Sequence, residues 1–201
     1  MELRRATSRD VGELVGVLTR AFDDDPVARF MFRGERRRRR GLPKFFSIQL
    51  RHMYLEAGEV WTTADTVGAA LWGPPGKPRP GLRDLWYLSP LVPHLIGLGR
   101  ALGDAGRLLA EVDRRRPRQA HWYLATIGTD PQRQGQGVGS ALLAPVLRRC
   151  DEDGVPAYLE SSKERNLAFY GRHRFEVVGD YQVPDGPKLW FMWREPRPPE
   201  D

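Results

Sequence analysis

Ile127-Gly128-Thr129-Asp130-Pro131-Gln132-Arg133-Gln134-Gly135-Gln136-Gly137-Val138-Gly139-Ser140 is the stretch that decides the fold. The alternation from Trp122 to Thr129 predicts a strand that leads straight into glycines at alternate positions. Helical spacing of Leu142, Leu143, Val146, Leu147 and Cys150 predicts a helix over Gly139 to Cys150. Glycines without side chains let successive N–H groups converge on an anion at the positive end of that helix. Phosphate suits such a loop, and a pyrophosphate would meet several donors at once. A P-loop is excluded because no suitable lysine precedes Gly139-Ser140. A dinucleotide fingerprint is excluded because the glycines run G-x-G-x-G rather than G-x-G-x-x-G.

Downstream, the pattern predicts a strand at Pro156 to Glu160 and a short helix at Asn166 to His173. Final strands are expected at Phe175 to Val183 and Lys188 to Trp193, around the turn Pro184-Asp185-Gly186. Upstream, Leu3 to Ala6 reads as a first strand, and Ser8 as the N-cap of a helix bearing Val11, Leu14, Val15, Leu18 and Phe22. Asp25 before Pro26 starts a second short helix, and a third is expected from about Leu42 to Ala57. Strands at Val60 to Thr63 and Val67 to Trp72 flank a turn at Ala64-Asp65. The loop Gly73-Pro74-Pro75-Gly76 then precedes one or two amphipathic helices from Leu88 to Val112, closed at Pro117. Strands both adjacent in sequence and separated by helices give a mixed α/β (α+β) class.

Residues 1–201 are enough for one sizeable core, so a single domain is expected, with about 194–201 a frayed tail rich in proline. No apolar run approaches the ~20 residues of a membrane span, and the N-terminus lacks the apolar stretch of a signal peptide. Cys150 has no partner for a disulfide, and the four histidines are scattered. A cytoplasmic, metal-free protein follows as the expectation. The net charge of +6 suits an anionic partner. Arg36 to Arg40 reads either as a nucleic-acid contact or as a solvated helix turn after Gly34. No nucleic-acid module accompanies it, so nucleic acid is not the expected partner.

Gln134-Gly135-Gln136-Gly137-Val138-Gly139 fits the Q/R-x-x-G-x-G loop of the GNAT superfamily, with the lead-in Ile127 to Pro131. Asn166-Leu167-Ala168-Phe169-Tyr170 resembles the later motif of the same family. Within it, Trp122 to Gly128, Tyr158 to Ser162, Arg4 to Thr7 and Ala21 to Asp23 resemble the puromycin N-acetyltransferases and their actinobacterial relatives. The resemblance implies a single mixed, mostly antiparallel twisted sheet flanked by helices, with fourth and fifth strands splayed into a cofactor cleft. It implies acetyl-CoA as co-substrate, held by Ile127, Gly128, Thr129, Gln134, Gly135, Gln136, Gly137, Val138, Gly139, Ser140 and Asn166. Tyr170 would face the thioester sulfur, and a backbone N–H around Ile127 would stabilise the oxyanion. One departure stands out: Arg174 occupies the place of the glycine that usually precedes this phenylalanine.

Glu160, at its strand end, is the candidate base for the attacking amine; a strand-end salt bridge is the competing reading. Tyr170 is the candidate acid for the leaving thiolate. Direct transfer needs no covalent intermediate, which leaves Cys150 as core filler. Asp23-Asp24-Asp25 either draws in a cationic amine or ends one helix and caps the next. Trp61, Trp72, Trp86 and Tyr87 either line an aromatic pocket or belong to the core. The expected acceptor is a primary amine on a bulky, puromycin-like small molecule. Protein amines, or a non-catalytic CoA- or nucleic-acid-binding role, are the alternatives. A homodimer stays open.

Overall fold

Short β-prone segments joined by tight turns pair with their sequence neighbours, whereas a strand followed by a helix must cross over to find a parallel partner. Both rules operate here. A computed structural model describes residues 1–56, 59–76, 89, 91 and 100–197. The strands are β1 (Leu3–Arg5), β2 (Glu59–Thr63), β3 (Gly68–Gly73), β4 (Trp122–Thr129), β5 (Ala157–Ser161), β6 (Glu176–Gln182) and β7 (Lys188–Arg194). They form one seven-stranded sheet in the order β1-β2-β3-β4-β5-β7-β6. Every neighbouring pair is antiparallel except β4 and β5. That parallel pairing covers only Trp122↔Ala157 to Leu124↔Leu159, so the last five residues of β4 diverge from β5. The mixed, mostly antiparallel sheet with a splayed β4/β5 cleft is as expected.

The helices are α1 (Val11–Ala21), α2 (Pro26–Met31), α3 (Glu35–Ile48), α4 (Arg100–Arg115), α5 (Val138–Asp153) and α6 (Leu167–Arg172). On one face of the sheet, Leu142, Leu143, Val146 and Cys150 of α5 pack with Trp72, Trp122 and Leu124. On the other, Leu14 and Leu18 of α1 and Phe46 of α3 pack on Ala69 and Leu71. Burying apolar area on both faces stabilises the fold at roughly 25 cal/mol per Å². Trp72 lies in this core, and Trp61 lies at its margin beneath the Arg5 guanidinium. Trp86, Tyr87 and, apart from residues 89 and 91, the stretch 88–99 of the expected helix fall outside the described residues. Cys150 is fully buried, and burial pushes its thiol pKa up to about 12.

Several boundaries differ from the sequence reading, each for a local reason. Thr7 rather than Ser8 opens the first helical turn. Asp10 Oδ2 accepts from the Thr7 backbone N–H at 2.7 Å and from its hydroxyl at 3.0 Å. Arg4 then forks onto both oxygens of Asp10 at 2.9 and 2.7 Å. The third helix starts at Glu35, not near Leu42, because the arginine run is helical; Arg38 and Arg39 reach Asp23 and Glu35 at 2.9 and 2.6 Å. It then widens into a π-helical turn, Gln49–Tyr54. The tail is not frayed from residue 194. Arg194 belongs to β7, is buried, and donates to the His173 carbonyl at 3.1 Å and to Asp151 at 2.8 Å; the Arg197 N–H also reaches Asp151.

The end of α6 bears on the site. Arg174 takes φ 67°, the left-handed conformation that glycine adopts at low cost. Its N–H bonds the Gly171 carbonyl, and the Phe175 N–H bonds the Tyr170 carbonyl at 3.1 Å. Phe175 then folds back onto the Tyr170 ring, 6.1 Å between centroids. The helix therefore ends as it would with glycine, and Tyr170 is fixed from below.

Candidate active site

The cleft originates in a single extra residue. Opposite β3, Leu71 pairs with Thr126 but Trp72 pairs with Leu124, so Ala125 is a bulge in β4. Before the bulge, the Trp122 N–H points to β5, bonding the Pro156 carbonyl at 2.9 Å. After it, the Asp130 N–H points to β3, bonding the Val67 carbonyl at 2.9 Å. Both residues are even-numbered, and peptide groups alternate along a strand, so the bulge has exchanged the two edges. Beyond Ala125, Thr126 and Gly128 therefore face β3, while Ile127 and Thr129 turn their peptide groups toward the gap left by β5. Gly128 is held from behind by α1: a Cβ there would lie 2.8 Å from Leu18 and 3.1 Å from Ala21.

Below the gap, the glycine loop follows a short turn at Pro131–Arg133, whose start is capped by Asp130. Gly135 and Gly137 have φ of 76° and 79°, and a Cβ at either meets nothing within 4 Å. Positive φ and open space together describe a backbone cradle facing a void, which fits a phosphate group. Gln134 braces the loop, its amide donating to the Thr129 carbonyl at 3.2 Å. Gly139 sits under the Phe169 ring, where a Cβ would come within 3.1 Å. Ser140 Oγ lies 2.9 Å from His173 Nε2 and ties α5 to the end of α6.

The resulting cleft is about 430 Å³, within the range of small-molecule sites. Ile127, Gly128, Thr129, Gln134, Gly135, Gly137, Val138, Gly139, Ser140, Asn166 and Tyr170 all line it. Gln136 does not; its side chain accepts from Arg133 at 3.1 Å and donates to the Gln132 carbonyl. Tyr170 is buried, and burial, with Asp25 nearby, raises its pKa well above the ordinary phenol value. It is thus a proton donor rather than a phenolate at neutral pH.

The aspartate run closes the far corner. Asp23 pairs with Arg38, Asp24 with Lys163 and Arg165, and Asp25 caps α2. Asp25 is buried in the cleft wall and also accepts from the Ser162 hydroxyl at 2.6 Å. Asp23 and Asp24 are therefore committed to cations of the chain itself; Asp23 ties the end of α1 to α3, while Asp24 and Asp25 tie it to the segment after β5. Ser162, Lys163 and Arg165 escaped the sequence reading because their partners lie far away in the chain.

Glu160 is placed differently. It follows the last β4–β5 pair, at the apex where the strands part, but its side chain does not line the cleft that Tyr170 lines. It belongs to a buried polar group with Tyr123, Tyr158, Tyr54 and Arg116. The Tyr123 hydroxyl donates to Glu160 Oε2 at 2.8 Å, and Arg116 Nη2 lies 3.4 Å from Oε1. Burial raises the Glu160 pKa, opposed chiefly by Arg116. Nothing in the sequence marked Arg116, which closes α4 as one more arginine of a charged end. Among the described residues, no cluster of His, Cys, Asp and Glu is suited to a metal ion, and no helix is long and apolar enough to cross a membrane.

Comparison with known proteins bears on the family and the fold. Residues 85–175, which include β4, the glycine loop, α5 and α6, match the acetyltransferase (GNAT) family. An uncharacterized N-acetyltransferase of Schizosaccharomyces pombe is 29% identical over 98% of this chain and 84% of its own length. The mycothiol acetyltransferase of Brachybacterium faecium is 40% identical over 31% of this chain, but that is 19% of its own length. Among solved structures, one described as histone acetyltransferase HPA2 and related acetyltransferase, from Corynebacterium glutamicum, superposes with a TM-score of 0.73. It is 28% identical and covers 100% of this chain and 98% of its own. Acetyl-CoA is the usual acetyl donor of such proteins. The chain thus carries an acetyltransferase domain of the GNAT family over residues 85–175, and its similarity to acetyltransferases extends over nearly its whole length.

Proposed function

We propose that the protein transfers the acetyl group of acetyl-CoA directly to a primary amine on a bulky small molecule. The carrying observation is the shape of the β4 edge: past the bulge, Ile127 and the Thr129 N–H turn away from β3 toward the cleft that Gly135 and Gly137 also line. A linear amide-bearing arm would pair with that edge like a missing strand, with its pyrophosphate on the loop. Asn166 and Tyr170 form the opposite wall.

Acetyl-CoA supplies an activated acyl thioester. The chain then has three tasks: to hold the amine neutral, to stabilise the oxyanion, and to protonate the departing sulfur. Glu160 takes the amine proton, directly or through water; its raised pKa makes it a better base than an exposed carboxylate. The Ile127 N–H is the oxyanion donor, since the bulge turns it into the gap. Tyr170 gives its proton to the thiolate. Puromycin is the example of the acceptor suggested by sequence resemblance. A second reading, transfer to protein amines, draws on the name of the Corynebacterium glutamicum structure. Acetyl-CoA-dependent thiol release across puromycin, tryptamine, free lysine and a lysine-rich peptide separates the two. Turnover of bulky small amines supports the proposal. Robust acetylation of the peptide with no turnover of any small amine would reject it.

A further inference from the structure

The polar group around Glu160 contains a cation placed in an unusual way. Arg116 follows α4, its N–H bonding the Val112 carbonyl, and its guanidinium lies over the Tyr123 ring, 4.0 Å from the centroid. Its side chain is 13% exposed and that of Glu160 11%, so both charges are largely out of water. Yet they do not form the tight fork expected of a buried structural pair, whose N–O distances run near 2.7–2.9 Å. The contact is 3.4 Å, and among the described residues the buried Arg116 Nε–H has no hydrogen-bond partner. Arg194, whose Nη1 is likewise buried without a partner among the described residues, meets its carboxylate more closely, Asp151 at 2.8 Å, so it is the long contact that sets Arg116 apart. The ring of Tyr123 carries the guanidinium, while the hydroxyl of the same tyrosine donates to Glu160. One side chain thus fixes both the acid and its cation and keeps them apart.

We propose that Arg116 is a positioning residue for Glu160: stacked on Tyr123, it keeps the carboxylate charged in a buried place without tying up its lone pairs. The proposal rests on the reading of Glu160 as the base. A carboxylate buried with no cation would take up a proton and could not accept one from the amine. A carboxylate locked in a bidentate fork would be charged but blocked. The loose contact satisfies both requirements. Among the described residues, the groups that face Glu160 are Arg116 from the end of α4, Tyr123 from β4, Tyr158 from β5 and Tyr54 from the π-helical turn; His121 stacks on Tyr158 at 5.3 Å. Arg116 is the cation of this set, so its removal has a defined sign.

The test is a carboxyl-carbon NMR titration of the full chain labelled with 13C-glutamate, with Glu160 assigned through Glu160→Gln. It is run on wild type, Arg116→Gln, Arg116→Met and Arg116→Lys, alongside pH profiles of kcat/KM with the best amine of the panel. In the two neutral variants the Glu160 midpoint and the acid limb of kcat/KM should both move up by about one unit or more. Arg116→Lys, which keeps the charge, should restore the midpoint to within about half a unit of wild type, on the same scale of charge effects. An unmoved midpoint in a folded neutral variant would overturn the proposal, as would failure of both neutral variants to fold, which would make Arg116 a structural residue. Wild-type turnover in Glu160→Gln would instead reject the base assignment and the positioning role with it, an outcome visible without any Arg116 variant.

Discussion

Replacing Gly137 with valine separates the loop's part in binding from its part in folding. Gly137 sits at φ 79° as the N-cap of α5, and a Cβ there meets no protein atom within 4 Å. The folded state therefore loses only the left-handed penalty, about 1–2 kcal/mol for a residue with a Cβ. Against a typical domain stability of about 5–15 kcal/mol the variant stays folded. Its melting temperature should fall by roughly 2–8 °C for a chain of this size. Binding suffers far more, because the new side chain projects into the void above the cradle. Loss of two hydrogen bonds to a charged phosphate, at about 1.5–3 kcal/mol each, weakens CoA by roughly 10²–10⁴-fold. Thermal melts and titration calorimetry with CoA measure both quantities on one sample. A folded Gly137→Val protein that binds CoA as wild type does would refute the placement of the pyrophosphate.

Four further outcomes follow from the same structure. Tyr170→Phe should lower turnover by roughly ten- to a thousandfold with CoA affinity unchanged; unchanged turnover where chemistry limits the rate would make Tyr170 a packing residue. Arg174→Gly should raise stability by up to about 1 kcal/mol in urea titrations, since φ 67° is strained for arginine. Neutralising Arg36 to Arg40 should leave turnover within a few-fold, because Arg38 and Arg39 make surface pairs worth at most about 1 kcal/mol each. The Arg4 fork and the Thr7 N–H hold the Asp10 carboxyl well below the usual carboxylate range. That stabilisation is complete above the unfolded value near pH 4 and is lost as pH falls below it, so Asp10→Asn should flatten the acid end of the stability profile.

How much of this was legible beforehand depended on how local each cause is. The strand Trp122–Thr129 and the helix after the loop were readable because hydrophobic alternation and spacing act over neighbouring residues. Asp25 before Pro26 was readable for the same reason: the cap bonds Ala28, three residues on. The start of α3 was not, because an arginine run has no apolar face and its helix is completed by Gly41, Leu42 and Phe46 packing farther along. The bulge at Ala125 left no trace, since it is defined by register against β3 rather than by the residue itself. Glu160 was singled out from its position on the strand. Its environment could not be, because Arg116, Tyr123 and Tyr54 reach it from three other elements. The site was thus visible where the backbone makes it and hidden where distant side chains do.

The claim on which the rest depends is that acetyl-CoA lies along the β4 edge exposed by the bulge, and residue-resolved amide hydrogen exchange reads that edge directly. Thr126 and Gly128 face β3 and should exchange slowly with or without the co-substrate, whereas Ile127 and Thr129 face the gap. On addition of acetyl-CoA, Ile127, Thr129 and the amides of Gly135 to Ser140 should become protected, with Thr126 and Gly128 unchanged. Saturating acetyl-CoA that leaves Ile127, Thr129 and the glycine loop exchanging as in the free protein would contradict the account.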